Sequence, residues 1–234
     1  MDKILVGCVT YDGHSAHLEK FSEAFKNLGK DIIFADNSFS EDYSKLLKSK
    51  GFNVLRKSPE GKNRIQRIIE GRNLIREYFL NNNYSHLFFL DTDIVLHDEI
   101  IQNLLQCESD VASGVYLCNQ EIEGKMYILP TIYKPGRNDD FAEIVKIKDI
   151  IPEKIFDIAI CGLGCCLIKR KVLEKISFRQ INDSDEGGED VAFCLDARKA
   201  GFSLKVNTAV KCEHIVKLNG KIGALGIKKP DLPI

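Results

Sequence analysis

The sequence predicts a single α/β domain with a mainly parallel central sheet, helices flanking it and a smaller mixed sheet at the rear. Short apolar runs alternate with helical segments through the first half of the chain, which is typical of βαβ units with right-handed crossovers. After residue 116 the pattern loosens into short strand-like pieces. With 234 residues, 44% hydrophobic and 29% charged, the chain can bury one large core.

The first half of the chain gives the clearest elements. Residues 3–10 form a continuous run rich in Ile and Val, which predicts a strand buried on both faces. Apolar residues then recur at helical spacing from Leu18 to Leu28, with Ser15 as a candidate cap and Gly29 as the end of the helix. The same reasoning predicts strands over 31–35, 52–56 and 86–90 and helices over 41–50 and 63–80.

The second half is less regular. We predict helices over 98–107, 171–176 and 189–200, and strands over 110–116, 142–147, 156–160, 165–168, 203–206 and 210–212. No shift in composition marks a linker, so residues 1–216 are predicted to form the domain. Residues 217–234 form a basic, glycine-spaced tail that we expect to be mobile.

Charge and apolar patterning exclude several classes of protein. Thirty-three Lys and Arg residues balance 34 Asp and Glu residues, which argues against a nucleic-acid partner and against disorder. No apolar run reaches the roughly 18–20 residues of a membrane span, although peripheral membrane association stays open. A strand follows the N-terminus at once, without the layout of a signal peptide, and this predicts a cytoplasmic protein.

Eight cysteines are the unusual feature of the composition. They are scattered through apolar stretches, and the cluster of Cys161, Cys165 and Cys166 matches no zinc-binding spacing. We therefore expect reduced, buried thiols.

Two carboxylates follow the buried strand at 86–90. Asp91 and Asp93 lie two residues apart, and ligands in open α/β sheets bind beyond the carboxyl ends of the strands. Carboxylate oxygens suit Mg²⁺ or Mn²⁺, so the pair predicts a metal site. Alternatively, these residues cap the helix that follows.

A second carboxylate pair, Glu189 and Asp190, follows two glycines at a predicted helix start. The helix dipole favours an ionised carboxylate there, as a general base requires. An ordinary acidic helix N-terminus explains the pair equally well. The preceding acidic residues, Asp183, Asp185 and Glu186, are interpreted as solvated.

Arg72 and His214 are further candidates. On a helical projection of about 100° per residue, Arg72 falls within the apolar arc of its helix, so it needs a phosphate or a structural carboxylate as partner. Arg64 and Arg67 project elsewhere and are expected at the surface. His214 follows the last predicted strand and is a candidate metal ligand or an ordinary surface histidine. The other four histidines, at positions 14, 17, 86 and 97, offer nothing comparable.

The sequence lacks other well-known enzyme motifs. G-x-G-x-x-G and G-x-x-x-x-G-K-[ST] are absent, and this argues against a dehydrogenase or a P-loop enzyme. The absence of G-x-S-x-G removes the main hydrolase class.

Taken in order, the motifs resemble those of GT-A nucleotide-sugar glycosyltransferases. The sequence is similar to family-2-like enzymes and, in its Arg-Asn and Glu-Asp elements, to mannan-polymerase-type transferases. The resemblance covers roughly residues 3–214 and rests on motif order, which is Val9-Thr10-Tyr11, Asp36-Asn37-Ser38, Gly71-Arg72-Asn73, Asp91-Thr92-Asp93, Gly188-Glu189-Asp190 and His214.

The resemblance implies a GT-A-like fold and a metal-dependent, hexosyltransferase-type enzyme. The donor would be a UDP- or GDP-linked sugar. Its nucleoside would be held by Thr10, Tyr11 and Asp36, with Asp36 near the base or ribose. Arg72 and Asn73 would lie near the pyrophosphate, and Asp91 and Thr92 would complete the donor site. Mn²⁺ or Mg²⁺ would be bound by Asp93, with Asp91 and His214 completing the site. Asp190 would be the catalytic base of an inverting transfer to a glycan or another hydroxyl acceptor, with Glu189 near that hydroxyl.

Three alternatives stay open. A nucleotidyltransferase of sugar phosphates also uses paired carboxylates and a metal ion, although it would bring a glycine-rich phosphate loop. A non-catalytic module that binds nucleotide or carbohydrate could share the fold. A cysteine-based metal or redox protein is disfavoured by the scattered spacing of the thiols.

Overall fold

The computed structural model describes residues 2–95, 99–136, 142–181, 188–218 and 221–227. Its strands, in chain order, are β1 (Ile4–Thr10), β2 (Asp31–Asp36), β3 (Asn53–Arg56), β4 (His86–Leu90), β5 (Ile94–Val95), β6 (Val111–Val115), β7 (Leu117–Ile122), β8 (Lys125–Pro130), β9 (Ile132–Pro135), β10 (Ala142–Ile144), β11 (Ile155–Asp157), β12 (Ile160–Cys161), β13 (Cys165–Lys169), β14 (Leu204–Lys211), β15 (Glu213–Leu218) and β16 (Lys221–Leu225). The α-helices are α1 (Leu18–Asn27), α2 (Asp42–Ser49), α3 (Arg64–Leu80), α4 (Ile100–Leu105), α5 (Ile147–Ile150), α6 (Arg170–Lys175) and α7 (Glu189–Lys199).

A central sheet organises the described part of the chain, with eight strands in the order β11-β14-β6-β13-β4-β1-β2-β3. Strand β1 pairs in parallel with β2 and β4, and β2 continues in parallel to β3. Strand β13 is inserted antiparallel between β4 and β6, and β11 runs antiparallel to β14 at the edge. The prediction of a mainly parallel central sheet is confirmed.

Each face of this sheet is covered by helices. Helices α1, α2 and α4 pack on one face, where their buried residues include Phe25, Leu47 and Leu104. Helices α3, α6 and α7 cover the other face. Strand β1 alternates between the two cores, with Val6 toward the first and Leu5 toward the second, as a strand buried on both faces must do.

The rear of the molecule consists of small sheets in the described residues. Strands β10-β9-β12 and β16-β15-β5 form two three-stranded sheets, and β7 and β8 form an antiparallel ribbon. The sequence missed this ribbon because its exposed strands carry polar and apolar residues on both faces. The strands predicted over 203–206 and 210–212 are one strand, β14, in which an irregularity shifts the pairing with β6.

Some element boundaries differ from the predictions. A 3₁₀ helix, Asp12–His17, contains the predicted cap Ser15, and α1 begins after it without a side-chain cap. The strand that we predicted over 142–147 ends at Ile144 as β10, and α5 follows from Ile147. The backbone N–H of Lys146, the residue before α5, donates a hydrogen bond to Oδ2 of Asp149.

The predicted domain boundary at residue 217 falls within a hairpin. Strands β15 and β16 pair antiparallel, with Lys217 opposite Ile222. The mobility of the tail stays a prediction, and residues 228–234 lie outside the described residues. Across the described segments, no helix has the length and apolar character needed to cross a membrane.

Candidate functional site

A cleft of about 730 Å³ lies at the carboxyl edge of the central sheet. Because β1 and β4 are parallel neighbours, Thr10 at the end of one strand and Asp91 after the other meet at this edge. Helix α3 and the first turn of α7 supply the opposite wall, through Arg72 and Asp190. The structure therefore brings together four of the motifs that the sequence singled out.

Arg72 is the buried cation of this cleft, with 4% of its surface exposed. Its Nε donates a hydrogen bond of 2.8 Å to Oε1 of Glu189, and its Nη2 lies 3.6 Å from Oδ1 of Asp91. The guanidinium also lies over the ring of Phe89, 4.8 Å from its centroid. The partner left open by the sequence is thus a carboxylate, Glu189. However, Nη1 of Arg72 is buried and makes no hydrogen bond within the described chain, so its two N–H donors are left without a protein partner.

Asp91 sits between Arg72 and a close turn of the chain. Its backbone N–H donates to the carbonyl of Gly164, and a Cβ atom at Gly164 would lie 2.7 Å from Oδ2 of Asp91. Glycine therefore allows the turn to approach the carboxylate. Burial raises the pKa of Asp91 above its usual value, Arg72 opposes this effect, and the charges of Asp93 and Glu189 add to it.

Asp93 and His214 form the second polar pair of the cleft region. Strand β15 pairs with β5, so that His214 lies opposite Ile94, and its Nε2 comes within 3.4 Å of Oδ2 of Asp93. The other ring nitrogen, Nδ1, lies 2.8 Å from the carbonyl of Leu117, which fixes the imidazole with Nε2 toward Asp93. Burial raises the pKa of Asp93, but the hydrogen bond and charge of His214 outweigh it, and the pKa is lowered overall.

The donor set fits a divalent cation in part. Within the described ranges, no group of three or more His, Cys, Asp or Glu side chains is arranged to hold a metal ion. A carboxylate oxygen beside an oriented imidazole nitrogen is nevertheless chemistry that Mn²⁺ accepts, and Mg²⁺ is commonly held by one or two carboxylates together with substrate phosphates. Asp93 and His214, with Asp91 nearby, are the residues that would hold such an ion.

The two acidic residues at the start of α7 have different surroundings. Glu189 is buried against Arg72 but also borders the cleft, so its carboxylate positions the guanidinium, and the expectation that it lies near the acceptor hydroxyl stays a prediction. Asp190 lines the cleft, and its Oδ1 accepts a hydrogen bond from the backbone N–H of Val191. Burial, followed by the charge of Glu189, raises the pKa of Asp190 to about 6.

Thr10, Tyr11 and Asn37 line the part of the cleft nearest β1 and β2. The ring of Tyr11 is about half exposed and packs edge-on against a histidine ring, whereas Thr10 is buried with its Oγ1 3.3 Å from the hydroxyl of Tyr43. This part therefore offers an aromatic face and an amide.

Asp36 was expected to contact a base or ribose, and the hydrogen bonds that its carboxylate makes within the chain are local. It is buried, and its Oδ1 accepts hydrogen bonds from the backbone N–H and the hydroxyl of Ser38. Its Oδ2 accepts from the hydroxyl of Ser44. Since both oxygens are engaged, the carboxylate anchors the loop after β2, and the next residue, Asn37, reaches the cleft instead.

Asn73 and Thr92 also serve local contacts. The side chain of Asn73 donates a hydrogen bond to the carbonyl of Phe178 and accepts one from its backbone N–H. It therefore links α3 to the segment that follows α6. Thr92 is buried, and its Oγ1 lies 2.5 Å from Nδ1 of His14. Asp183, Asp185, Glu186 and His97 lie outside the described residues.

Three cleft residues were not expected from the sequence. Arg64 and Arg67, interpreted as surface residues, line the cleft, and Arg67 lies over the exposed ring of Phe39. The histidine that contacts Thr92, His14, lines it too, and burial lowers its pKa. The sequence did offer one indication that they face the cleft: both arginines lie in the first turn of α3, the helix that follows the edge strand β3.

Tyr116 is a further unexpected member of the wall. Its hydroxyl accepts a hydrogen bond from the N–H of Gly164, and its ring packs edge-on against His214 at 5.4 Å. The turn at 162–164, which fails the nucleotide-loop motifs, thus borders the cleft through its close packing on Tyr116 and Asp91.

Comparison with solved structures decides the fold. A crystal structure of GalNAc-T7 with UDP, GalNAc and Mn²⁺ matches with a TM-score of 0.62 at 17% sequence identity, over 93% of this chain. The fold is GT-A-like. This chain spans 44% of the GalNAc-T7 chain. The predicted fold class is confirmed.

Two other solved structures match the GT-A-like chain. A crystal structure of A197 from STIV matches with a TM-score of 0.50 and 17% identity, over 100% of this chain and 98% of that one. A CMP:2-keto-3-deoxy-manno-octonic acid synthetase complexed with CTP matches with a TM-score of 0.46 and 11% identity, over 88% and 89%. No family model matches the chain. No curated protein matches it in sequence.

Proposed function

We propose that this chain is a metal-dependent glycosyltransferase that moves a sugar, of the hexosyl type, from a nucleoside diphosphate to an acceptor hydroxyl. The observation that carries the proposal is the buried Arg72, whose Nη1 amino group has no protein partner, beside a cleft that also holds two separate carboxylate sites. The motif order shared with family-2-like and mannan-polymerase-type transferases supports it. So does the GT-A-like fold of GalNAc-T7, which binds UDP, GalNAc and Mn²⁺.

The departing diphosphate is the group that Arg72 would stabilise. Negative charge develops on that group as the bond to the sugar breaks, and a buried guanidinium stabilises it strongly because little water competes. Glu189 holds the guanidinium in place through Nε, and Nη1, which has no protein partner, would donate to the diphosphate. Mn²⁺ or Mg²⁺, bound by Asp93 and His214, would neutralise further charge on the phosphates.

Asp190 would act as the general base of an inverting transfer. It belongs to the same cleft but makes no ion pair with Arg72, so its carboxylate is left to accept the proton of the acceptor hydroxyl. Tyr11 would support the nucleobase by stacking, and Asn37 would replace Asp36 as the polar contact of the nucleoside.

A thermal-shift panel of UDP-, GDP-, CMP- and dTDP-sugars and of the four nucleoside triphosphates, each with and without Mn²⁺, tests the proposal. A ligand that binds only the folded state stabilises it by about 2.7 kcal/mol at 100 times its Kd, so one nucleotide class should raise the melting temperature, and more so with Mn²⁺. No shift with any sugar nucleotide would contradict the proposal. A shift with nucleoside triphosphates alone would favour the nucleotidyltransferase alternative.

The rate of sugar transfer should fall at low pH because the proposed base, Asp190, must be ionised to accept a proton. With the pKa of Asp190 raised to about 6, the ionised fraction rises as the pH increases through that value, and the rate should fall about tenfold per pH unit below it. Initial rates at saturating donor between pH 4.5 and 8 measure this limb. If nucleotide affinity fell in parallel over the same range, the titrating group would belong to the donor site instead of Asp190.

A further inference from the structure

Three neutral side chains form a continuous strip outside the cleft, on the ribbon and on the neighbouring strand. We call Tyr127, Gln120 and Tyr133 the tyrosine strip. The hydroxyl of Tyr133 donates a hydrogen bond of 2.7 Å to Oε1 of Gln120. Gln120 is directly opposite Tyr127 in the β7–β8 pair, and opposed residues in an antiparallel pair project to the same face. The two rings therefore flank one amide.

The strip is connected to the cleft on two sides. Strand β7 begins at the residue after Tyr116, which is part of the cleft wall. Strand β9 places Tyr133 opposite Ile160 of β12, and β12 packs against α7, the helix whose first turn carries Asp190. Burial raises the pKa of the Tyr133 hydroxyl, and the hydrogen bond with Gln120 opposes this effect.

The chemistry of the strip matches a carbohydrate. A pyranose ring has a C–H face that packs on an aromatic ring and hydroxyl edges that hydrogen-bond to an amide. Tyr127 is 44% exposed, so its ring is open to such packing. The Gln120 amide makes only two long contacts of 3.5 Å through Nε2, to Cys118 Sγ and to the carbonyl of Pro130, and its N–H groups can improve their geometry on a ligand.

We propose that the tyrosine strip is the acceptor subsite and that it holds a neutral oligosaccharide whose terminal hydroxyl points to Asp190. This inference rests on the proposed function. In the transfer, the bond between the acceptor oxygen and the anomeric carbon forms as the bond from that carbon to the diphosphate oxygen breaks. The hydroxyl proton moves to the carboxylate of Asp190, and the nucleoside diphosphate leaves with the bonding electrons.

The test is binding of the fluorescently labelled full chain to a printed array of neutral oligosaccharides. The wild-type chain should retain at least one glycan class. Tyr127→Ala and Gln120→Ala should each weaken that binding about tenfold, as truncation of a central contact typically does, and Tyr127→Trp should keep it because an aromatic face remains. Melting temperatures of all variants establish that they are folded.

Met126→Ala is the matched control. Met126 neighbours Tyr127 on β8, is 63% exposed and projects to the opposite face of the ribbon, so its removal should leave glycan binding unchanged. Wild-type-like binding by Tyr127→Ala, equal loss in Met126→Ala, or no retained glycan for the wild-type chain would each overturn the proposal.

The same preparations separate this inference from the proposed function. If a sugar nucleotide raises the melting temperature in a Mn²⁺-dependent way but no glycan is bound, only the assignment of the tyrosine strip as an acceptor subsite is overturned. Glycan binding that depends on Tyr127 without any nucleotide shift would overturn the transferase, and with it the role of the strip as an acceptor subsite.

Discussion

Replacing Asp190 with asparagine should lower the rate of sugar transfer by about 10²–10⁴-fold, the usual contribution of a general base. The amide oxygen of asparagine can still accept the hydrogen bond from Val191 N–H, which Oδ1 of Asp190 accepts at 2.8 Å. The start of α7 should therefore keep its geometry, while the group that takes the proton is lost. Initial rates at saturating donor measure the effect, and calorimetric titration of the nucleotide should give a Kd close to that of the wild type.

Asp196→Asn provides the matched control for this variant. Asp196 lies on the same helix, α7, but it does not line the cleft, and its partly buried carboxylate pairs bidentately with Arg179. Its transfer rate should equal that of the wild type. Near-normal transfer by Asp190→Asn would assign the base to another group.

Replacing Asp93 with alanine should remove the metal-dependent part of nucleotide binding. Loss of groups that only orient a ligand already costs about 10–100-fold in metal affinity, so loss of a direct carboxylate ligand should cost at least as much. His214 would also lose the carboxylate that lies 3.4 Å from its Nε2. Nucleotide titrations with and without Mn²⁺, for the variant and the wild type, measure the difference between the two conditions.

Asp31→Ala controls for the loss of one negative charge. Asp31 begins β2, at the opposite edge of the sheet from Asp93, and its exposed carboxylate contacts Tyr84 and Lys3. In that variant Mn²⁺ should strengthen nucleotide binding as in the wild type. The same strengthening in Asp93→Ala would exclude Asp93 as a metal ligand.

The parts of the fold that depend on the local pattern of apolar and charged residues could be predicted from the sequence. Strand β4 is apolar after His86 and is followed directly by Asp91, so the position of two carboxylates at a sheet edge followed from the sequence. Arg72 falls on the apolar arc of α3, which correctly indicated a buried cation that needs an anionic partner, although the choice between a phosphate and a carboxylate was left open. In both cases, residues close in sequence determine the environment.

The remaining features depend on how distant segments meet. The roles expected for Asp36 and Glu189 came from motif order, but the side-chain partners of Asp36 are set by a loop conformation that spacing does not encode. Arg64 and Arg67 lie off the apolar arc of α3, which excludes them from the core. The pattern alone does not tell whether such a residue faces bulk solvent or lines a cleft, as both do here. The ribbon of β7 and β8 was missed because exposed strands lack the alternation that identifies a half-buried one.

The hydrogen bond between Arg72 and Glu189 joins residues 117 positions apart in the chain. During synthesis, the arginine is therefore made long before its carboxylate exists, and the closure of so long a loop precedes any gain from the contact. The strands that border the cleft can pair early, but the cleft is completed only when α7 docks. A nascent chain that ends before Glu189 would thus leave Arg72 with Asp91 as its carboxylate partner and without the hydrogen bond at Nε, and partly folded stages of this kind are open to misassembly.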